Sequence, residues 1–180
     1  LPRENLALRQ KDGPESKMIG QSTAFRTLIS QLDKVTKSNG RVMLTGASGT
    51  GKEVAARFIH GQSDRASAPF VVVNCAAIEP DQMERVLFGQ ESSDKGITEG
   101  LLEQANQGVV YFDEVADMPL VTQSKILRVL VDQRFQRVGG TENVNVDLRV
   151  ISSTSRDLNQ EIAEKSFREE LFHRLNVVPI

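Results

Sequence analysis

Apolar residues recur along this chain in two rhythms, and the alternation between them predicts the architecture. Phe25, Leu28, Ile29, Leu32 and Val35 keep helical spacing from Thr23 to the Asn39-Gly40 pair, which predicts an amphipathic helix. Arg41 to Thr45 is short, apolar and β-prone, and reads as the first strand. Val54, Ala55, Phe58 and Ile59 return to helical spacing between Glu53 and His60, and Gly61 stops that helix. Phe70 to Asn74 predicts a buried strand. Met83, Val86 and Leu87 mark a short helix opened by Pro80, and Gly89 to Gly100 reads as polar loop. Leu101, Leu102 and Ala105 predict a helix closed by Gly108, followed by a strand from Val109 to Phe112. Pro119 opens a helix carrying Leu120, Ile126, Leu127 and Leu130. Arg134 to Val146 reads as a hairpin turning at Gly139-Gly140, and Leu148 to Ser152 as a strand. Phe167, Leu171, Phe172 and Leu175 line a helix, and Asn176 to Ile180 would be a last strand. Strands alternating with helices predict an α/β fold with a mostly parallel sheet covered by helices on both faces.

Composition narrows the class without changing the picture. A chain of 180 residues can bury the core of one α/β domain. Hydrophobic residues make up 39% and charged residues 26%, an ordinary balance for a globular domain. A net charge of -2 argues against DNA binding through a basic face of this chain. The single cysteine, Cys75, cannot form an internal disulfide, which suits a cytoplasmic location. The apolar run from Phe70 to Ile78 is interrupted by Asn74 and is too short to span a bilayer, and no signal peptide is visible. The chain opens on Leu1 and stops at Ile180 inside an apolar run, so it reads as a piece of a longer protein. Leu1 to Ser16 is polar, contains Asp12-Gly13-Pro14 and reads as a linker or a frayed entry helix.

The chemistry concentrates at strand ends. Gly46, Ala47, Ser48, Gly49, Thr50, Gly51, Lys52 and Glu53 stand between the first strand and the next helix, with the glycine and lysine spacing of a phosphate-binding loop. Such a loop turns its backbone N–H groups inward, and the helix N-terminus and the lysine add positive charge. Glu53 occupies the position where a Ser or Thr commonly holds Mg²⁺. Four apolar residues lead into Asp113-Glu114, a pair delivered to the edge where the phosphate loop lies. Asp113 can hold Mg²⁺ and Glu114 can orient or deprotonate a water. On the residues alone, Thr154 serves equally as a helix cap, as Ser155 and Asp157 do, and Asn74 as a satisfied strand-end amide. Arg168 and Arg174, placed on one helix six residues apart, fall on different faces and read as surface arginines paired with Glu169 and Glu170. His60 and His173 have no partners at metal spacing, and Cys75 reads as a buried structural thiol.

From Met18 to Ile180 the chain resembles the AAA+ domain of the NtrC-class enhancer-binding proteins, regulators that work with sigma-54 polymerase, and it is most similar to their NtrX branch of response regulators paired with NtrY sensor kinases. The resemblance rests on residues 46–53, Val-Asn-Cys-Ala-Ala at 73–77, Leu-Phe-Gly at 87–89, Phe-Asp-Glu-Val-Ala-Asp-Met-Pro at 112–119, Arg-Val-Gly-Gly at 137–140, and Phe-Arg-Glu-Glu-Leu-Phe-His-Arg-Leu-Asn-Val at 167–177. It implies a P-loop NTPase core from residue 17 to 180 that binds ATP or ADP with Mg²⁺. In the family a receiver domain precedes this core, joined here through residues 1–16, and a helical lid and a DNA-binding helix-turn-helix follow it. Glutamate after the loop lysine is usual in the family, so Glu53 fits. The resemblance also implies that Ile19 and Gly20 pack the adenine, that Asn74 pairs with Glu114, and that Thr154 senses the γ-phosphate. Arg168 and Arg174 become arginine fingers acting across a homo-oligomer, a role that contributes roughly 10³–10⁵ in rate.

Two positions depart from the family pattern. Ala47 stands where glutamate is usual. The Gly-Ala-Phe-Thr-Gly-Ala loop that contacts sigma-54 is replaced at residues 90–99 by Gln-Glu-Ser-Ser-Asp-Lys-Gly-Ile-Thr-Glu, which lacks the aromatic tip. The expectation is a nucleotide-binding module of a nitrogen-related regulator, in which ATP tunes oligomer or interdomain state without a working sigma-54 contact. The alternative is an ATP-hydrolysing ring that remodels sigma-54 polymerase. Sensor kinase and DNA would be reached through the domains outside this chain, and no membrane is expected.

Overall fold

The computed structural model describes residues 23–36, 40–47, 51–176 and 178–179. In chain order its strands are β1 (Val42–Thr45), β2 (Phe70–Asn74), β3 (Gln90–Ser92), β4 (Gly96–Thr98), β5 (Val109–Asp113), β6 (Arg134–Gln136), β7 (Asn143–Asn145), β8 (Arg149–Thr154) and β9 (Val178–Pro179). Its helices are α1 (Thr23–Thr36), α2 (Lys52–Gly61), α3 (Met83–Phe88), α4 (Leu101–Gln104), α5 (Leu120–Asp132), α6 (Leu158–Ala163) and α7 (Glu169–Leu175). Five strands form one sheet in the order β2-β5-β8-β1-β9, and every neighbouring pair is parallel. The expected sheet covered on both faces is present. Val42, Leu44, Val109, Tyr111 and Ile151 face Leu32 of α1 and the Ala55–Ile59 stretch of α2. Met43, Val110, Phe112 and Val150 face the other way, toward Ile126 and Leu130 of α5 and Leu171 and Leu175 of α7. Because both faces are covered, β5 and β8 read as continuous apolar or small-residue runs rather than alternating ones. No helix among the described residues is long and apolar enough to cross a membrane.

Several boundaries differ from expectation for identifiable reasons. Strand β8 runs on to Thr154, two residues past the expected end, because Ser152, Ser153 and Thr154 pair with β1 despite being polar. Helix α4 stops at Gln104, well before Gly108, and Gln107 then turns through a positive φ of 69°. Helix α7 starts at Glu169, so Phe167 and Arg168 precede it; of the expected last strand, Val178 and Pro179 pair with β1, and residues 177 and 180 lie outside the described residues. Helix α6 carried no periodic signal, since only Leu158 of its residues is buried; Asp157 caps it by accepting from the N–H groups of Asn159 and Gln160 at 3.0 and 3.4 Å. The linker at residues 1–16 lies outside the described residues, as do 37–39, where the first helix was expected to end.

The segment at 90–99, expected as polar loop, is an antiparallel ribbon in which β3 pairs with β4. Its two ends are pressed together: a Cβ on Gly100 would stand 2.3 Å from the Leu87 carbonyl oxygen. The ribbon is fastened to the neighbouring β6–β7 hairpin, which forms where Gly139-Gly140 predicted it. The Glu91 N–H donates to the Val138 carbonyl at 2.9 Å, and the Val138 N–H donates to Gly89 at 3.0 Å. Gly139, at φ +81°, lies so close that a Cβ would meet the Glu91 oxygen at 2.6 Å. Arg137 completes the joint with a fork onto both Glu103 oxygens, each at 2.8 Å, and a third bond to Glu91 at 2.9 Å. These bonds, first to Glu103 and then to Glu91, raise the guanidinium pKa further. Arg137→Ala leaves both carboxylates without their cation, so it is expected to lower unfolding free energy by about 1–3 kcal/mol. A denaturant melt checks this; an unchanged midpoint would reduce the joint to a surface contact.

Candidate functional site

The glycine-rich loop leaves β1 at Thr45 and enters α2 at Lys52. Gly51 precedes the helix in the left-handed region, at φ 89° and ψ 26°, a conformation that favours glycine. At the other end the Gly46 N–H donates to the Thr154 carbonyl at 3.3 Å, which ties the loop to β8. The Lys52 ammonium donates to the carbonyls of Gly46 and Ala47, both at 2.8 Å, and so is held at the loop's mouth. Glu53 faces along the helix and pairs with Arg57 four residues on, at 3.0 Å. Ser48, Gly49 and Thr50 lie outside the described residues, as do Ile19 and Gly20, the expected adenine contacts.

Across the cleft, β2 and β5 end in register, so Asn74 and Asp113 stand side by side at the C-terminal edge of the sheet. Open parallel sheets bind their ligands at this edge. Glu114 leaves the strand at φ 56° and ψ 64°, an uncommon conformation for glutamate. Its carboxylate accepts from the Thr154 hydroxyl at 2.6 Å, the Ser155 hydroxyl at 2.6 Å and the Ser155 N–H at 3.0 Å. Burial pushes the Glu114 pKa up, but these bonds, with Arg156 nearby, outweigh it and hold the carboxyl below its ordinary value. The carboxylate therefore stays ionised at neutral pH. Lys52, Asn74, Asp113, Glu114 and Arg156 line one cleft of about 650 Å³, within the range of small-molecule sites.

The expected pairing of Asn74 with Glu114 is not what the structure has. Among the described residues, Glu114 takes its hydrogen bonds from Thr154 and Ser155, while the exposed Asn74 stays at the cleft wall. The alternative of Thr154 as a helix cap also falls: Asp157 caps α6, and the Thr154 hydroxyl donates to Glu114. Arg168 and Arg174 do not share a helix. Arg168 stands at the N-cap of α7, its N–H bound to Gln123 at 2.8 Å and its Nε to the Leu120 carbonyl at 3.1 Å. Arg174 is exposed in the last turn of α7, and neither arginine lines the cleft of its own chain. Cys75 is buried as expected, and burial first, then the nearby carboxylates, pushes its thiol up to about 12.

Five further residues belong to the site that sequence reasoning did not assign to it: Tyr111, Asp117, Ser153, Ser155 and Arg156. Arg156 bonds Asp117 and lies 3.6 Å from Glu161. The Tyr111 hydroxyl, raised to about 12 chiefly by burial, donates to Ser153 at 2.8 Å. The available signal was the hydroxyl run Ser152-Ser-Thr154, unusual in a buried strand, with Ser155 just past its end.

A family model described as "Sigma-54 interaction domain" matches residues 18–180. The nitrogen assimilation regulatory protein NtrX of Azorhizobium caulinodans is 49% identical over 181 residues, covering 100% of this chain and 40% of that protein. The DNA-binding transcriptional regulator NtrC of Escherichia coli K12 is 43% identical over 175 residues, covering 95% of this chain and 37% of NtrC. Among solved structures, NtrX from Brucella abortus in complex with ATP superposes with a TM-score of 0.86 at 56% identity, covering 90% of this chain and 36% of that one. The chain thus spans about two fifths of the length of the relatives it matches.

Proposed function

Because the chain belongs to the sigma-54 interaction domain family, we propose that it is the ATP-binding central domain of a nitrogen-related two-component response regulator in the cytoplasm. The observation that carries this reading is the convergence of Lys52, Asp113 and Glu114 on one cleft beside a glycine-rich loop. The similarity to an ATP complex of NtrX supports the same ligand. Backbone N–H groups of residues 46–53 and the Lys52 ammonium take the phosphates, and Ile19 and Gly20 pack the adenine. Asp113 spends one carboxylate oxygen on Ser153 and lines the cleft, an oxygen donor suited to Mg²⁺, which commonly binds through one carboxylate plus phosphates and waters. The ion supplies charge neutralisation at the phosphates. Glu114 and Thr154 orient water, Asn74 borders it, and Arg168 and Arg174 reach the site of a neighbouring copy.

The output we propose is control of oligomer or interdomain state by nucleotide, without a working sigma-54 contact. The ribbon in place of the contact loop supports this: residues 92–99 are exposed, and Ile97 is its one large apolar side chain. Residues 1–16 serve as the linker from a receiver domain that meets the sensor kinase, and DNA is met through a further domain. The matched family description favours the alternative, a ring that remodels sigma-54 polymerase. One experiment separates them. Calorimetric titration with Mg-ATP should saturate, and gel filtration with sigma-54 and a transition-state mimic should give no complex. No saturable heat would sink the nucleotide site, whereas a co-eluting complex would establish the alternative.

A further inference from the structure

We propose that Ser153 is a positioning residue for Asp113, and that Tyr111 fixes the direction of its proton. The inference rests on reading Asp113 as the Mg²⁺-bearing carboxylate and adds to it a device for aiming that group. Tyr111, Asp113 and Ser153 share one sheet face: the first two are two residues apart on β5, and Ser153 lies on the adjacent strand. Tyr111 is wholly buried and so is Ser153. A serine hydroxyl has one proton to give and two lone pairs to fill. Here it donates to Asp113 Oδ1 at 3.1 Å and accepts from the Tyr111 hydroxyl at 2.8 Å and from the Glu114 N–H at 3.4 Å.

That inventory leaves a single arrangement. The serine proton goes to Asp113 Oδ1, which accepts it at 3.1 Å. The tyrosine proton must then go to the serine. The tyrosine thus removes the alternative in which the serine hydroxyl turns inward, away from Asp113. Asp113 Oδ1 is held toward the sheet, and its second oxygen is left to the cleft. The same hydroxyl takes the N–H of Glu114, whose left-handed backbone sets where the neighbouring carboxylate points. One buried oxygen therefore fixes both acidic side chains relative to each other. Groups that orient a metal ligand from behind commonly matter about 10–100-fold for metal affinity.

Manganese is the probe, read by electron paramagnetic resonance in the full chain with saturating ADP; metal-free ADP affinity is measured separately in EDTA. Ser153→Ala should weaken Mn²⁺ in the ADP complex about tenfold while the EDTA measurement stays at the parent value. Tyr111→Phe should weaken it about threefold and add nothing in the Ser153→Ala background, since the tyrosine acts only through the serine. Ser153→Ala also strips the buried tyrosine of its partner and lowers the melting temperature. The double variant removes both partners and should regain melting temperature but not Mn²⁺ affinity, which separates positioning from folding. Parent-like Mn²⁺ affinity in the double variant would overturn the proposal alone. A parent protein with no ADP-dependent Mn²⁺ signal would overturn the reading of Asp113, and this proposal with it.

Discussion

Lys52→Ala is expected to abolish ATP binding. The lysine ammonium contributes twice at the phosphate loop. It carries the one full positive charge that the loop sequence supplies, and it donates to the Gly46 and Ala47 carbonyls, both at 2.8 Å. Alanine removes the charge and releases those carbonyls to face an anion. Hydrogen bonds to charged groups are worth about 1.5–3 kcal/mol each. Losing two such bonds from the ammonium to the phosphate oxygens would weaken binding by roughly two to four orders of magnitude. Binding should disappear from a titration at millimolar nucleotide, and the melting temperature should no longer rise with ATP, as it must when a ligand favours the native state. The fold itself should survive, because the side chain packs against loop rather than core. Parent-like affinity in the variant would remove the loop from the site altogether.

Glu114→Gln is expected to retain nucleotide and lose turnover. Glutamine preserves the shape but keeps one acceptor oxygen, so it holds the donors of Thr154 or those of Ser155 and not both, and it can neither accept a proton nor orient water by charge. General base groups contribute about 10²–10⁴ in rate, so any ATPase activity of the assembled protein should fall by that factor. The pH dependence has a definite sign. The folded pKa of Glu114 lies below its ordinary value of 4.5, so its ionised contribution is complete above the unfolded pKa. It is lost only as pH falls through the lower folded value. Activity limited by this carboxylate should accordingly be flat across neutral pH and fail only in acid. Because the arginines of one chain stand outside its own cleft, the rate per subunit in the parent should rise with protein concentration. A concentration-independent rate, or an active glutamine variant, would refute the assigned roles.

The sheet was legible because buried parallel strands have a composition of their own: Phe70 to Val73 and Val109 to Phe112 are almost unbroken β-branched or aromatic runs. The glycine-rich loop and Asp113 stand out in the sequence because their spacing is local. The rest depended on contacts that no local pattern carries. Glu114 and Thr154 are 40 residues apart and meet only because β5 and β8 are neighbours. Reading the residues alone left Thr154 as a helix cap; only family resemblance moved it toward the nucleotide. The ribbon of β3 and β4 escaped because backbone pairing and the Arg137 joint hold it, not an alternating apolar face. Helix α6 escaped because one cap and one buried leucine make it. Asn74 stands at the cleft wall, while Glu114 takes its hydrogen bonds from Thr154 and from Ser155, a residue that reads in the sequence only as a candidate helix cap.

The Arg137 joint also sets the terms for re-engineering this chain. Grafting an aromatic-tipped contact loop over residues 90–99 would remove Glu91, leaving Arg137 with Glu103 alone. It would also strip Val138 of the ribbon N–H that it accepts. Residues 90–99 and 134–146 are thus one interchangeable part rather than two. A chimera that moves both together inherits a closed polar network, whereas a single-segment swap begins with a broken one.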